Sequence, residues 1–540
     1  MVLPADKPRL GVLTSFLIFW ELLTTTSNNY NKYNINRMDH HEKAVKAVAA
    51  SVRAFFARKE SFRIYHGSTN STRPKHQNRL VDISSLNNVL NIDSIARTAL
   101  VEPNVPMDRF IEATLKHGLI PPVVMEFPGI TVGGGYAGSA GESSSFKHGY
   151  FDQTINSVEM VLANGEVIKT SRSQNADLFK GAAGAMGTLG IATLIELQLI
   201  PAKRFVQLTY ERKSSVHETI EGVKKEIGNS TNDYVDGILF SKDFGVVMTG
   251  KLTDDKPATM KEQSFSHARD PWFHLHIQER MNSESQKSCV DYIPLGEYLF
   301  RWDRGGFWMG HQAFQYFPFV PFNRWSRWFL DDFMHTRMLY RALHGTGHSF
   351  EHIVQDLSLP YSTAEEFIDY SAAELNIWPL WLCPLREIQA PTFHPSTTLP
   401  GSSNDAKPML NIGLWGPGSK NRGEFFRQNR QLEKKLADLG GFKVLYSHTY
   451  YTETEFWELY DRKWYENLRS KYSATSLPTV YDKVKVDMSK FSGVKLSWYE
   501  WIMKLWPVAG LVGIRSAIRS RDYLLHRKPL WRERMTIQKP

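Results

Sequence analysis

The chain predicts an α+β fold, with one α+β domain over about 44–204, an α/β cap behind it, and apolar, cationic ends. Three observations predict it. Short β-rich runs alternate with segments of helical period from residue 44 onward. Two glycine-rich stretches, 128–145 and 181–190, interrupt that alternation. Tryptophan, 15 residues in all, concentrates in the 270–345 region and again at 498–506. At roughly 150 residues per domain, 540 residues suggest two to four domain-sized units. Hydrophobic residues make up 42% and charged residues 22%, so a sizeable core is buried and wholesale disorder is excluded. The two cysteines, Cys289 and Cys383, lie in no CxxC, which excludes a disulfide framework, a zinc ribbon and a cysteine-ligated cluster. No metal site is expected. The net charge of +9 admits nucleic acid, an anionic membrane or an anionic cofactor. Nucleic acid is disfavoured, because cations and aromatics do not interleave as stacking platforms require.

Taken in order, Leu10 to Leu23 is an apolar stretch behind Lys7 and Arg9. It is shorter than the roughly 20 residues of a spanning helix. It reads as a signal-type or interfacial segment, or as an extension upstream of a start at Met38. His41 to Glu60 predicts an amphipathic helix through Val45, Val48, Val52, Phe55 and Phe56. A strand at Phe62–Tyr65 leads into the polar loop His66–Pro74, and short apolar runs follow at Leu80–Ile83, Val89–Ile92 and Ala99–Val101. A helix is expected over Pro106–His117, with Gly118 past its end, then a buried strand over Pro121–Phe127. Asn164–Gly165 between Ser157–Ala163 and Glu166–Thr170 predicts a hairpin of type I′. A short helix at Ala176–Lys180 and a strand at Ile191–Ile200, ended by Pro201, complete the domain.

The cap is expected to hold strands at Val206–Glu211, Gly237–Phe240 and Gly245–Thr249, with a helix over Val216–Glu226. Residues 270–345 are aromatic and basic without clean periodicity. Phe425–Leu439 predicts a helix, Phe442–Tyr446 a strand, and Thr452 with Glu455 a capping box opening a helix through Arg469. Trp498 to Ile514 is apolar and Trp-rich, and arginines from Arg515 to Arg534 follow it. A Trp-rich segment with a cationic flank suits a bilayer surface, and a packed terminal helix with a solvated basic tail is the alternative.

The glycines carry the chemistry. Gly133, Gly135 and Gly138 satisfy G-x-G-x-x-G, with Glu159 about 20 residues on. A dinucleotide fold would need a helix to open directly from that loop. Here Ser139 to Ser145 is a poor helix former, and Glu159 sits within a strand rather than at its end. The better reading is backbone amides wrapping an anion, with Ser143, Ser144 and Ser145 adding hydroxyl donors. His66–Thr72 and Gly181–Gly190 have the same character, and three such loops in one domain suggest a large diphosphate cofactor.

At these residues the sequence resembles the Δ24-sterol reductases (the seladin/Diminuto group) of the FAD-binding, vanillyl-alcohol-oxidase-like superfamily. The resemblance rests on VEPNVPM (Val101–Met107), TVGGGYAGSAGESSSFKHGYF (Thr131–Phe151), SVEMVLANGEV (Ser157–Val167), NADLF (Asn175–Phe179) and GTLGIATLIELQLIPAK (Gly187–Lys203). Downstream are PWF (Pro271–Phe273), DYIPL (Asp291–Leu295), HIVQD (His352–Asp356), WPLWLCP (Trp378–Pro384), FWELYD (Phe456–Asp461) and VYDK (Val480–Lys483). It covers about 44–487.

The resemblance implies a two-lobed, PCMH-type FAD-binding domain over 38–204, behind an N-terminal apolar segment and linker over 1–37 that is read from composition. It further implies a substrate cap over 205–487, leaving 488–540 as a membrane-associating tail that rests on its composition alone. The FAD contacts it implies are Ser68, Thr69, Asn70, Ser71 and Thr72; then Thr131, Val132, Gly133, Gly134, Gly135, Gly138, Ser139, Gly141, Glu142 and Ser143; then Gly187, Thr188, Gly190 and Ile191. Covalent oxidases of the superfamily carry a His inside an R-G-G-G-H-type loop. Here His66 precedes Gly67 and the interior positions are Ser, Thr and Asn, so FAD is expected to be non-covalent. NADPH, a sterol and the endoplasmic reticulum membrane, with the catalytic part facing the cytosol, are implied with it.

Reducing an isolated C24–C25 alkene is hard because no carbonyl polarises it. Protonation at C24 places positive charge on tertiary C25, which then accepts hydride from the flavin. The protein must supply an acid and a dry, apolar, aromatic slot. Tyr446, Tyr450, His352 and Glu351 are the candidate acids. Two alternatives remain: an FAD-dependent oxidase or dehydrogenase of an alcohol or lactone on the same fold, and a flavin-free membrane scaffold.

Overall fold

A computed structural model describes residues 37–67, 79–346, 351–395, 408–486, 506–527 and 529–532. The expected segment Leu10–Leu23, most of the phosphate loop (Ser68–Thr72 included) and the Trp498–Leu505 stretch lie outside the described residues.

A helix over 37–57 opens the fold and buries Val45, Val48 and Val52. Its His41 is also buried, with Nδ1 2.8 Å from Glu102 and Nε2 3.2 Å from Glu159. Burial alone would lower that imidazole, but the two carboxylates outweigh it and raise its pKa to about 9. Glu159 therefore braces this helix and is not a ribose ligand.

The strands in chain order are β1 (Arg63–Tyr65), β2 (Leu80–Asp82), β3 (Val89–Asp93), β4 (Thr98–Val101), β5 (Leu119–Ile120), β6 (Ile155–Val161), β7 (Val167–Ser171), β8 (Ile191–Gln198) and β9 (Ile200–Pro201). β1 and β2 pair in parallel. An antiparallel sheet runs β3-β4-β8-β6-β7. β8 alternates buried with half-buried residues, as period-two packing requires.

Several local expectations change. Residues 121–126 are buried and Phe127 half-buried, but they form no strand: Pro121 and Pro122 have no N–H to donate, and the Ser144 hydroxyl takes the Pro122 carbonyl. The 162–166 turn is not type I′, which needs positive φ at both central residues. Only Gly165 has it (φ +83°), and the Leu162 amide closes on the Glu166 carbonyl, which is the wider bulged hairpin. Val132–Ala137 forms a short helix despite three glycines, capped by Thr131, whose hydroxyl accepts from the Gly134 amide. The Thr452–Glu455 capping box is present, but the helix it opens stops at Leu459. Asp461 caps a separate helix, Arg462–Lys471. The strand expected over Phe442–Tyr446 shortens to two residues.

The later strands are β10 (Phe205–Lys213), β11 (Tyr234–Ser241), β12 (Phe244–Thr253), β13 (Ser288–Pro294), β14 (His352–Pro360), β15 (Leu380–Leu385), β16 (Met409–Pro417) and β17 (Phe442–Lys443). They form an antiparallel sheet in the order β13-β10-β12-β11-β15-β16-β14-β17. Helices Val216–Ile227, Tyr361–Glu374 and Arg422–Asp438 pack against it. Ile353, Leu357, Leu382, Ile412 and Leu414 join those helices in one core. The alternate residues Val354, Asp356, Trp381, Asn411 and Trp415 face a large cavity on the other side. The fold is thus mixed α/β.

Near the C-terminus, Val508–Ser520 is helical and packs against Thr336–Thr346. Its buried positions are small, Ala509, Gly510, Gly513 and Ala517, which lets the helices approach closely. Among the described residues, no helix is long and apolar enough to cross a membrane.

Candidate functional site

One cavity of about 1600 Å³ runs between the two sheets. Ligand pockets usually measure about 300–1,000 Å³, so it has room for a cofactor and a substrate together.

One wall is backbone. Thr131, Gly133, Gly134, Gly135, Gly138, Ser139, Gly141, Glu142, Gly187, Gly190 and Ile191, all expected contacts, line it. Val132, Ser143 and Thr188 do not reach it. They are buried, Ser143 beside Glu126 and Thr188 accepting from the Tyr465 hydroxyl at 2.7 Å. The glycines have distinct reasons. A Cβ on Gly135 would meet Met125 at 2.5 Å, and one on Gly133 would meet Pro103 at 2.6 Å, so these serve packing. Gly187 has φ +67° and lies where the chain turns into the cavity.

The expected wrapping by bare amides holds only in part. The amides of Gly133, Gly134, Gly135 and Gly138 are bonded to Pro103, Thr131 and Gly134 oxygens. Among the described residues, no protein acceptor is paired with the amides of Ser139, Gly141 and Gly187. Tyr136 and Tyr150 present buried hydroxyls without a protein partner in the same wall. Lys483 adds positive charge beside Gly187, and Arg63 and Lys485, the latter paired with Asp482 at 2.7 Å, line the same cavity. Unpaired donors beside cations fit a diphosphate and its nucleoside, so the residues present suit FAD. Lys483 and Lys485 come from the far end of the fold, and local composition around the glycines could not reveal them.

The opposite wall is aromatic and carries one polar pair. Phe307 lies 4.2 Å from Trp415 and 5.2 Å from Trp381, centroid to centroid, and all three face the cavity. Asp356 on β14 sits opposite Gly413 on β16. A Cβ there would approach the Asp356 carboxylate to 3.2 Å, so the glycine makes room for it. Asn411 donates to Asp356 at 3.0 Å, and the Tyr446 phenol lies close to the same carboxylate. Burial pushes the Asp356 carboxyl up to about 6, against the pull of those two groups. Burial also raises the Tyr446 phenol well above its usual range. Glu142 is pushed well up by burial and by nearby Glu126.

Of the four candidate acids, Tyr446, His352 and Glu351 line the cavity. Tyr450 does not; it packs against Phe425 and Phe426 in the helix-side core. Asp356 was missed, although it ends the HIVQD motif. Its signal was a carboxylate on the cavity-facing phase of a strand whose neighbours Ile353 and Leu357 are core.

The walls are joined by a buried cation. Arg301 donates to Glu126 at 2.8 Å and to Asp236 at 2.9 Å. Burial pushes Glu126 up to about 8, against the pull of Arg301.

Comparison with known proteins fits this geometry. A family model described as an FAD binding domain matches residues 43–171. The chain is 30% identical over 420 residues to the human Delta(24)-sterol reductase, covering 76% of this chain and 78% of that protein. It is 28% identical over 506 residues to the Arabidopsis thaliana Delta(24)-sterol reductase, covering 87% and 88%. A rice cytokinin dehydrogenase is 32% identical, but over 138 residues, 25% of this chain. A likeness that spans both walls separates the first two from the third, and on it the chain belongs to the Delta(24)-sterol reductase family.

Proposed function

We propose that this protein reduces the C24–C25 double bond of a sterol side chain, using non-covalently bound FAD and NADPH. The single observation that carries the reading is a cavity joining a glycine-lined, cation-flanked wall to an aromatic wall with one carboxyl–phenol pair. The cofactor contacts are the cavity-lining residues of 131–142 and 187–191, together with Ser68–Thr72. Residues 38–204 form the two-lobed FAD domain and 205–487 the cap. The termini, 1–37 and 488–540, associate with the endoplasmic reticulum membrane, and the catalytic part faces the cytosol.

When bound against the glycine wall, FAD would supply the hydride chemistry, with NADPH as the source of reducing equivalents. The remaining work falls to the protein. The Asp356–Tyr446 pair delivers the proton to C24: the carboxyl carries it and the phenol holds that carboxyl in place. Asn411 donates a hydrogen bond that fixes the orientation. Phe307, Trp381 and Trp415 offer π faces to the positive charge that forms on C25, while excluding water that would trap it.

The test is turnover of a Δ24-sterol by the membrane-bound protein with NADPH, read by mass spectrometry. A gain of two hydrogens is expected. No gain, or a flavin bleached anaerobically by an alcohol and not by NADPH, overturns the reading in favour of an oxidase or dehydrogenase.

A further inference from the structure

The aromatic residues of 316–330 do not all serve the cavity. Phe319, Trp325 and Phe329 are 69%, 76% and 78% exposed, and Trp328 is exposed as well. Across from Phe319 lies Trp506, at 6.5 Å between ring centroids, which donates its indole N–H to the Tyr316 carbonyl. The Val508–Ser520 helix continues this face. Its small residues are spent on the Thr336–Thr346 helix, and Leu511, Arg515, Ile518 and Arg519 point to solvent along the other side. Leu524 and Leu525 extend the face beside Asp332, to which the next residues, His526 and Arg527, are tied. A soluble protein rarely leaves so many large apolar groups together in water.

Two further facts say what covers them. The first is charge. Arg324, Arg515, Arg519 and Arg521 are exposed around the patch and, among the described residues, have no carboxylate partner. The nearby carboxylates Asp331, Asp332 and Asp522 are already held by Arg304, Arg527 and Arg341. The second is continuity. Phe319 and Leu511 are exposed and also line the cavity, as do the half-buried Val320 and Ile514 behind them, so the patch surrounds an opening of the cavity. We infer that this face, from Phe319 to Phe329 and from Trp506 to Leu525, seats on a phospholipid surface as a monotopic footprint, and that the sterol passes from the bilayer into the cavity between Phe319 and Leu511. Aromatic groups at headgroup depth with arginines around them match a phospholipid interface, whereas a second protein copy would have to pair the arginines. The inference rests on the sterol reading for its cargo, but not for its surface.

The test uses the full-length, flavin-loaded protein. The variant W325S/F329S changes two side chains that do not line the cavity. Sedimentation with phosphatidylcholine–phosphatidylserine vesicles should show partition falling about tenfold or more, since two large apolar groups lose their buried surface. Turnover of vesicle-delivered sterol should fall in parallel, while turnover of cyclodextrin-delivered sterol stays unchanged. R515Q/R519Q should reduce the gain in partition that phosphatidylserine gives over phosphatidylcholine alone. Unchanged partition in W325S/F329S overturns the footprint and leaves membrane attachment to the terminal segments, 1–37 and 488–505. A wild-type dimer that W325S/F329S converts to monomer overturns it in favour of a second copy. If cyclodextrin-delivered sterol is not reduced by the wild type, the sterol reading fails, and the partition result still decides the surface.

Discussion

The wall built from residues 131–142 and 187–191 offers the cavity backbone and small side chains, whereas the wall built from β14, β15 and β16 offers a carboxylate, an amide and indole rings. The first wall comes mainly from two short stretches of sequence and offers a ligand close approach to the backbone. The second is assembled from residues scattered between Phe307 and Tyr446 and acts through placed functional groups. The difference teaches that binding and chemistry are separable here. Damage to the first wall should remove the cofactor, while damage to the second should leave a loaded but slow enzyme.

The largest effect expected is at Gly138. A Cβ there would sit 2.9 Å from the Gly134 carbonyl at the end of the short helix. Gly138→Val should leave purified protein almost free of flavin absorbance near 450 nm, and a normal flavin content would show that this wall does not hold the cofactor. Next is Asp356→Asn, with a fall in turnover of about 10²–10⁴-fold, the usual scale for a lost general acid. Flavin content and NADPH reduction of the flavin should be unchanged; if either falls with it, the walls are not separable. In the wild type, turnover should fall as pH rises through about 6, where the Asp356 carboxyl loses its proton. Tyr446→Phe removes a hydroxyl that holds that pKa down, so the descending limb should move to higher pH.

Arg301→Met tests what holds the walls together. It strands Glu126 and Asp236 without their cation, and a loss of about 3 kcal/mol is expected from urea unfolding. A loss under a third of that would mean the walls are held by apolar packing instead. The smallest effect concerns His41, which braces the sheet behind the first wall. Its pKa is raised in the fold, from 6.5 to about 9, so its contribution is complete below 6.5 and is lost as pH rises through about 9. The melting temperature should decline over that interval, and His41→Gln should flatten the decline without altering the activity limb near pH 6.

The first wall was legible because its signals are local. Glycine runs announce a backbone that approaches something closely, and the residues expected from 131 to 142 mostly line the cavity. The exceptions teach the rest. Val132, Ser143 and Thr188 belong to the same motifs, but their side chains turn into the protein. The hairpin at 162–166 and the break at Tyr460–Asp461 were misjudged because the dipeptide and the capping box set where an element starts, not how the chain packs after it. Residues 270–345 are the aromatic stretch from which a sterol slot would be drawn. Phe307 lines the cavity, but Trp302 is buried behind it at 4.1 Å between ring centroids and does not reach the cavity, and Trp325 and Phe329 point outward.

By itself the sequence determined most helices and strands up to about residue 253, the glycine-rich stretches, the absence of a cysteine framework and the family resemblance; it did not reveal the strands at 288–294, 352–360, 380–385 and 409–417. Each follows from short-range pattern: helical period, strand alternation and the backbone freedom of glycine. Only the tertiary structure decided that Asp356, Asn411 and Tyr446 meet, that Lys483 reaches Gly187, and which aromatics face water. The reason is register. Antiparallel pairing sets Asp356 against Gly413, with Asn411 on the diagonal, and a shift of one residue would turn Asp356 into the helix-side core.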